Sequence, residues 1–194
     1  MQAKNSCLRA RASTLLLSAA LVLSALFVVP QSAAQSPSAP ALYAASTEGL
    51  PALKFRGGGL LRMFGFQIYN SFLWTPGGEA FDPKKPFALD IQYLRNFEGR
   101  KLAERSIDEM RGQGVGNDTV YPKWLAEMTR VFPDVKPEDR LTGVFTSERT
   151  ARFFHNGRFT GEVKDAEFAA AFFGIWLSEN TSQPRLRERM LGLK

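Results

Sequence analysis

Hydrophobic residues along this chain recur with two different periods, and the switches between them outline a fold. "FALDIQYL" sets Phe87, Leu89, Ile91 and Tyr93 against Ala88, Asp90 and Gln92, a period of two that predicts a half-buried strand. Before it, "LKFR" and "LLRMFGFQIYNSFLW" read as extended runs around Gly57 to Gly59, where glycine permits a tight turn or a close backbone approach between two strands. After it the period lengthens. "GRKLAERSIDEMRGQ" spaces Leu102, Ser106, Ile107 and Met110 at helical intervals, and "TVYPKWLAEMTRVF" does the same with Val120, Trp124, Leu125, Met128 and Val131.

Two prolines in "PDVKPEDR" break the helical pattern, and "LTGVFTS", "TARFFHN" and "RFTGEV" predict three more strands joined by hairpins. Asn156-Gly157 is a strong two-residue turn signal between the last two. "DAEFAAAFFGIWL" starts at a plausible Asp165 cap and is apolar nearly all round, which predicts a helix buried on most sides. "QPRLRERMLG" closes the chain as a short helix, with Ser182 as candidate cap and Pro184 in its first turn. Blocks of strands, helices, strands and helices predict an α+β fold with a largely antiparallel sheet covered mainly on one face.

The N-terminus follows neither period. Lys4, Arg9 and Arg11 precede the uncharged run "TLLLSAALVLSALFVV", and Ser32 and Ala34 supply small residues before a cut. Residues 1–34 read as a signal peptide, because that run is shorter than the roughly 20 residues a membrane-spanning helix needs. The protein is then exported, into the periplasm if the cell is Gram-negative. Residues 35–52, rich in Ser, Ala and Pro at their start, read as a flexible leader, and 53–194 as the folded domain.

Export also changes the charge. Cleavage removes three of the 25 basic residues and none of the 19 acidic ones, leaving 22 against 19, a net +3. Acids and bases alternate in "GRKLAERSIDEMR" and "PRLRERM", so the surface lacks the clustered basic face of a nucleic-acid binder. Cys7 is the only cysteine and lies in the signal peptide, so the exported chain has no disulfide, thiolate nucleophile or soft metal ligand. His155, the single histidine, flanks a turn and reads as solvent-facing, which leaves no histidine-based metal site. No Gly-Lys-Ser/Thr follows the triple glycine, so it is no phosphate loop. Nothing calls for a cofactor.

Three stretches, "GGGLLRMFGFQIYNSFLW", "LAERSIDEM" and "RFFHNGRFTGEVKDAEFAAAFFGIWLSENTSQPRLRERMLGL", resemble the chalcone isomerase superfamily in the family's order, most closely its bacterial chalcone isomerase-like branch. The resemblance runs from Leu53 to Leu193. It implies an open-faced β-sandwich, a long sheet packed by helices on one side with a ligand cleft between them.

The resemblance also implies site positions. Arg62 matches the family's arginine, Phe64 falls on or near a threonine, Leu102 on a tyrosine, Glu109 on an asparagine and Ile175 on or near a threonine. Losing those hydroxyls removes donors that would position water or stabilise developing charge. What remains suits binding: Arg62, with Tyr69, is the expected pair for the anionic end of a fatty acid or small aromatic acid, since a guanidinium holds a carboxylate bidentately. The aromatics from Phe153 to Trp176 then divide between core and cleft. The alternative is an intramolecular lyase acting on a chalcone-like substrate, with rearranged groups among Arg95, Arg105 and Glu109.

Cleavage after Ala34 makes Gln35 the first residue of the exported protein. N-terminal sequencing of exported material should read from Gln35, and a chain still beginning at Met1 would replace cleavage by anchoring.

Overall fold

The computed structural model describes residues 39–193; the expected signal peptide, residues 1–34, lies outside the described residues. Strands β1 (Leu53–Met63), β2 (Phe66–Pro76), β3 (Phe87–Tyr93), β4 (Arg140–Phe145), β5 (Ala151–His155) and β6 (Arg158–Val163) form one antiparallel sheet in sequence order. A single helical turn, α1 (Ala44–Thr47), precedes them. Helices α2 (Gly99–Gly112) and α3 (Tyr121–Val131) interrupt the meander between β3 and β4, and α4 (Ala166–Leu177) and α5 (Pro184–Met190) follow β6.

Turn chemistry sets the hairpins. Asn156 and Gly157 both have positive φ, 50° and 79°, as a two-residue turn matched to strand twist requires. The first hairpin breaks elsewhere than at the glycine run: Phe64 and Gly65, at φ 50° and 81°, make the turn. Gly57 to Gly59 lie inside β1 instead, where they allow close approach. A Cβ at Gly57 would collide with the Arg189 carbonyl oxygen of α5, and one at Gly58 would lie 2.6 Å from the Ser71 carbonyl oxygen of β2. The close approach expected between two strands is therefore present, and a strand-to-helix approach accompanies it.

The helices cover one face of the sheet. Trp124, Met128, Phe153 and Phe168 are fully buried there, and Phe87 stacks on Phe145 with the Phe173 ring edge-on, 4.9 Å away. Each such ring contributes roughly 1.5–3 kcal/mol by leaving water. Of the seven aromatics between Arg152 and Leu177, Phe153, Phe168, Phe172 and Phe173 are core on this face, Trp176 packs partly buried against them, Phe154 is buried on the opposite face, and Phe159 is exposed.

The opposite face differs from expectation. β3 is buried on both sides except at Gln92, because Ala88, Val144 and Phe154 pack with Leu42, Leu50, Leu53 and Trp74. The described part of the leader, read from its composition as flexible, thus lies on the sheet. Asp90, fully buried, receives hydrogen bonds from Arg140 Nε (2.9 Å) and Thr142 Oγ1 (2.7 Å). Arg140 also donates to the Ala41 carbonyl at 3.0 Å and lies under the Tyr43 ring. A polar residue mid-strand predicts a solvated face, and period-two reading had no way to see that the leader supplies a lid. His155, expected to face solvent, is half-buried instead, its Nε2 3.4 Å from Asp139 Oδ2.

Helix caps agree in one place and not in another. Asp165 Oδ1 accepts from the backbone N–H groups of Glu167 and Phe168 at 3.0 Å, as expected. The cap of α5 is Gln183 rather than Ser182, with no side-chain cap; Thr181 Oγ1 reaches back to accept from Gln183 N at 3.2 Å.

Burial pushes the Asp165 carboxyl up, but the Phe168 N–H, the Trp124 indole, Lys123 and the Glu167 N–H outweigh it and hold it below its ordinary value. Such a group stabilises the fold above the unfolded carboxyl pKa and loses that contribution as pH falls through the lower folded one. Asp165→Ala should cost about 1 kcal/mol near neutral pH. The gap to the unsubstituted protein, read by urea unfolding, should close below about pH 4. A gap independent of pH would show that the carboxylate is not what caps α4.

Candidate functional site

Between the sheet and helices α2 and α4 the packing leaves a cavity of about 300 Å³, at the small end of the range for ligand pockets. Its floor is Leu61 of β1, Leu89 and Ile91 of β3 and Leu141 of β4, and its roof is Leu102 of α2 with Phe172, Ile175 and Trp176 of α4. Helix geometry explains the roof. On α2, Ala103, Ile107 and Met110 point into the core, while Leu102, Arg105, Ser106 and Glu109, spaced i, i+3, i+4 and i+7, line the cavity from the next flank. On α4, Phe168 and Phe173 fill the core, and Ile175 and Trp176, at its last turn, reach the cavity.

The polar groups of the lining come from Tyr69, Tyr93, Lys101, Arg105, Ser106 and Glu109, with Ser182 and Gln183 from the loop before α5. Tyr69 Oη accepts a hydrogen bond from Trp176 Nε1 at 2.8 Å, which leaves its own proton to donate. The Tyr69 and Tyr93 rings meet edge to face, 6.1 Å between centroids. Burial pushes the Tyr69 hydroxyl well above its ordinary pKa; Glu109 adds to the shift, while Trp176 and Arg105 oppose it. Burial, with Tyr69 beside it, does the same to Tyr93. Both phenols therefore stay protonated at physiological pH and act as donors, not bases.

Arg105 and Glu109 form an ion pair one helical turn apart, the arginine side chain 58% exposed and the carboxylate 14%. Arg105 thus spans from solvent to lining. Lys101 is held by Glu104 at 2.9 Å, and Ser106 donates to its own helix at the Leu102 carbonyl, 2.9 Å away. Among the described residues no group of three or more His, Cys, Asp or Glu side chains could hold a metal ion.

Of the six residues expected to form the site, the structure brings four together in the lining: Tyr69, Leu102, Glu109 and Ile175. Arg62 and Phe64 do not line the cavity. Leu61 and Met63 take the cavity side of β1, so Arg62 between them points to solvent, and it has no polar partner among the described residues. Phe64 is the exposed turn residue of the first hairpin. Arg105 and Lys101 are the cations at the lining instead. The signal for Arg105 was in the chain, since it shares a helical flank with Leu102 and Glu109, but the resemblance carried an arginine on β1 and drew attention there. Trp176, Tyr93, Ser182 and Gln183 reach the cavity from elements whose relative placement no local pattern encodes.

A family model described as chalcone isomerase-like matches residues 42–192. An uncharacterized protein of Haemophilus influenzae is 32% identical over 127 residues, 66% of this chain and 62% of the relative, so the match spans less than two thirds of that protein's length. Among solved structures, a fatty-acid binding protein of Arabidopsis thaliana has a similar fold, with a TM-score of 0.56 and 11% identity over 72% of this chain and 86% of that one.

Proposed function

Because the chain belongs to the chalcone isomerase-like family, we propose that it is a non-catalytic carrier for a small apolar ligand with an anionic end, a fatty acid or a small aromatic acid. The observation that carries this reading is the cavity: apolar walls from strands and two helices, with donors gathered toward α2 and β2. Tyr69 offers a hydroxyl proton, and Arg105, with five N–H groups, holds Glu109 and still has donors for a second acceptor. Arg105 takes the role expected of Arg62. The Arabidopsis structure with a similar fold is a fatty-acid binding protein, which makes a fatty acid the natural first probe.

The same lining disfavours proton-transfer chemistry. Both tyrosines are held neutral by burial, Ser106 is turned into its helix, and Glu109 is engaged by Arg105. Among the lining residues described, no nucleophile stands beside a free base. The N-terminal basic, apolar and small-residue sequence supports export, which would place the carrier outside the cytosol.

A fatty-acid titration beside thermal melts tests this. Ile175→Trp, which fills the roof, should abolish binding. Arg105→Ala should weaken it about fivefold to tenfold, the range for a charge-assisted contact partly screened by solvent. Arg62→Ala should leave affinity unchanged. Binding that survives Ile175→Trp would place the ligand outside this cavity, and cyclisation of a chalcone above its spontaneous rate would restore the lyase reading.

A further inference from the structure

The first hairpin ends in an aromatic and basic tip that the fold does not use. Met63 pairs with Phe66 across the two-residue turn, whose first position, Phe64, has φ 50°. Asn or Gly suits that position, and phenylalanine there is an uncommon, strained choice. The ring gains no packing in return: Phe64 is 93% exposed and Phe66 57%. Two cations flank the rings. Arg62 has no polar partner among the described residues. Arg95 belongs to the loop tied to β2 by the Leu94 N–H donating to the Ile68 carbonyl at 3.0 Å, and its guanidinium lies 4.8 Å from the Phe66 centroid. Neither residues 60–69 nor 94–97 contain an acid. Met63 and Ile68, just inside the turn, line the cavity.

We propose that this tip docks on an anionic phospholipid bilayer. Phe64 and Phe66 enter the interfacial layer, where aromatic rings are favoured, and Arg62 and Arg95 meet lipid phosphates, whose oxygens a guanidinium binds bidentately. A convex two-residue turn suits a soft, deformable surface. It presents far too little area for a standard protein interface of about 1,600 Å². The charge is complementary to an anionic lipid surface, with two cations and no acid in either segment. Docked this way, the end of the cavity at Met63 and Ile68 faces the bilayer, and an apolar ligand crosses between lipid and cavity without entering bulk water. That route rests on the carrier reading; the docking itself does not.

Vesicle binding of residues 35–194, which hold every strand, helix and core residue described above, tests the proposal. The segment lacks Cys7, so Gln67→Cys gives a single labelling site beside the tip with both rings intact. A polarity-sensitive fluorophore there should shift to the blue on phosphatidylglycerol-containing vesicles and much less on pure phosphatidylcholine. Phe64→Ser with Phe66→Ser should lower the partition coefficient about tenfold or more. Arg62→Gln with Arg95→Gln should lower it roughly fivefold per arginine, with a weaker dependence on salt. Thermal melts and a titration with soluble fatty acid should match the unsubstituted protein for both pairs, which keeps a failure of docking distinct from a failure of ligand binding. The proposal is overturned by absence of binding to phosphatidylglycerol vesicles, or by binding that both variant pairs retain in full. A label that responds to protein concentration and not to vesicles would assign the tip to self-association and overturn it as well.

Discussion

The organising constraint is a helix that cannot be solvated. From Ala166 to Leu177, α4 carries almost no polar side chain, and seven of its residues are buried. Its aromatic positions must therefore find apolar partners, and the six-stranded sheet supplies them: Phe168 and Phe172 stack on one another over Phe153, and Phe173 packs edge-on to Phe87 and Phe145. That packing fixes the helix to the sheet along its first two turns. Toward its C-terminus α2 passes alongside, and the space between Ile175, Trp176 and Leu102 above and the strands below stays unfilled. The cavity is thus a consequence of where the rings run out, and the hydrogen bond from Trp176 to Tyr69 ties the last turn of α4 to β2 at the cavity's edge.

The two faces of the sheet are held differently. The helix face is held mainly by burial of aromatic and aliphatic side chains. The other face carries Asp90 and Arg140 without solvent, and the pair persists because Thr142, the Ala41 carbonyl and the Tyr43 ring complete its surroundings. A buried pair of this kind adds little net stability, but removing one partner strands the other and costs about 3–5 kcal/mol. It gives the leader a defined seat on β3 and β4. The sandwich is open, yet its middle strands are lidded by a segment that composition alone marks as loose.

Periodicity revealed the elements because each is amphipathic or uniformly apolar by itself: β3 through Phe87 to Tyr93, α2 through Ile107 and Met110, α4 through its unbroken apolar run. Asn156-Gly157 revealed its hairpin because that turn needs two residues at positive φ. The Phe64-Gly65 turn was hidden, since phenylalanine seldom takes that conformation, while the run Gly57 to Gly59 offered a tight turn as one of its two readings. The site was half visible. Leu102, Glu109, Ile175 and Tyr69 lie in the lining, where the family resemblance implies site positions. Arg62 was misplaced for a plain reason: strand alternation gives Leu61 and Met63 to the cavity, and a shift in pairing register at Leu61 and Arg62 sits beside it. Trp176 and Tyr93 join the site only through tertiary packing, which no local spacing encodes.

The central claim is that the cavity under α4 holds a small apolar acid. Native mass spectrometry of the protein recovered from its own compartment addresses this directly. A one-to-one adduct with the mass of such an acid is expected, absent from the Ile175→Trp protein isolated in the same way. A protein that flies bare from its native compartment, and stays bare after incubation with fatty acids and aromatic acids, would contradict the account.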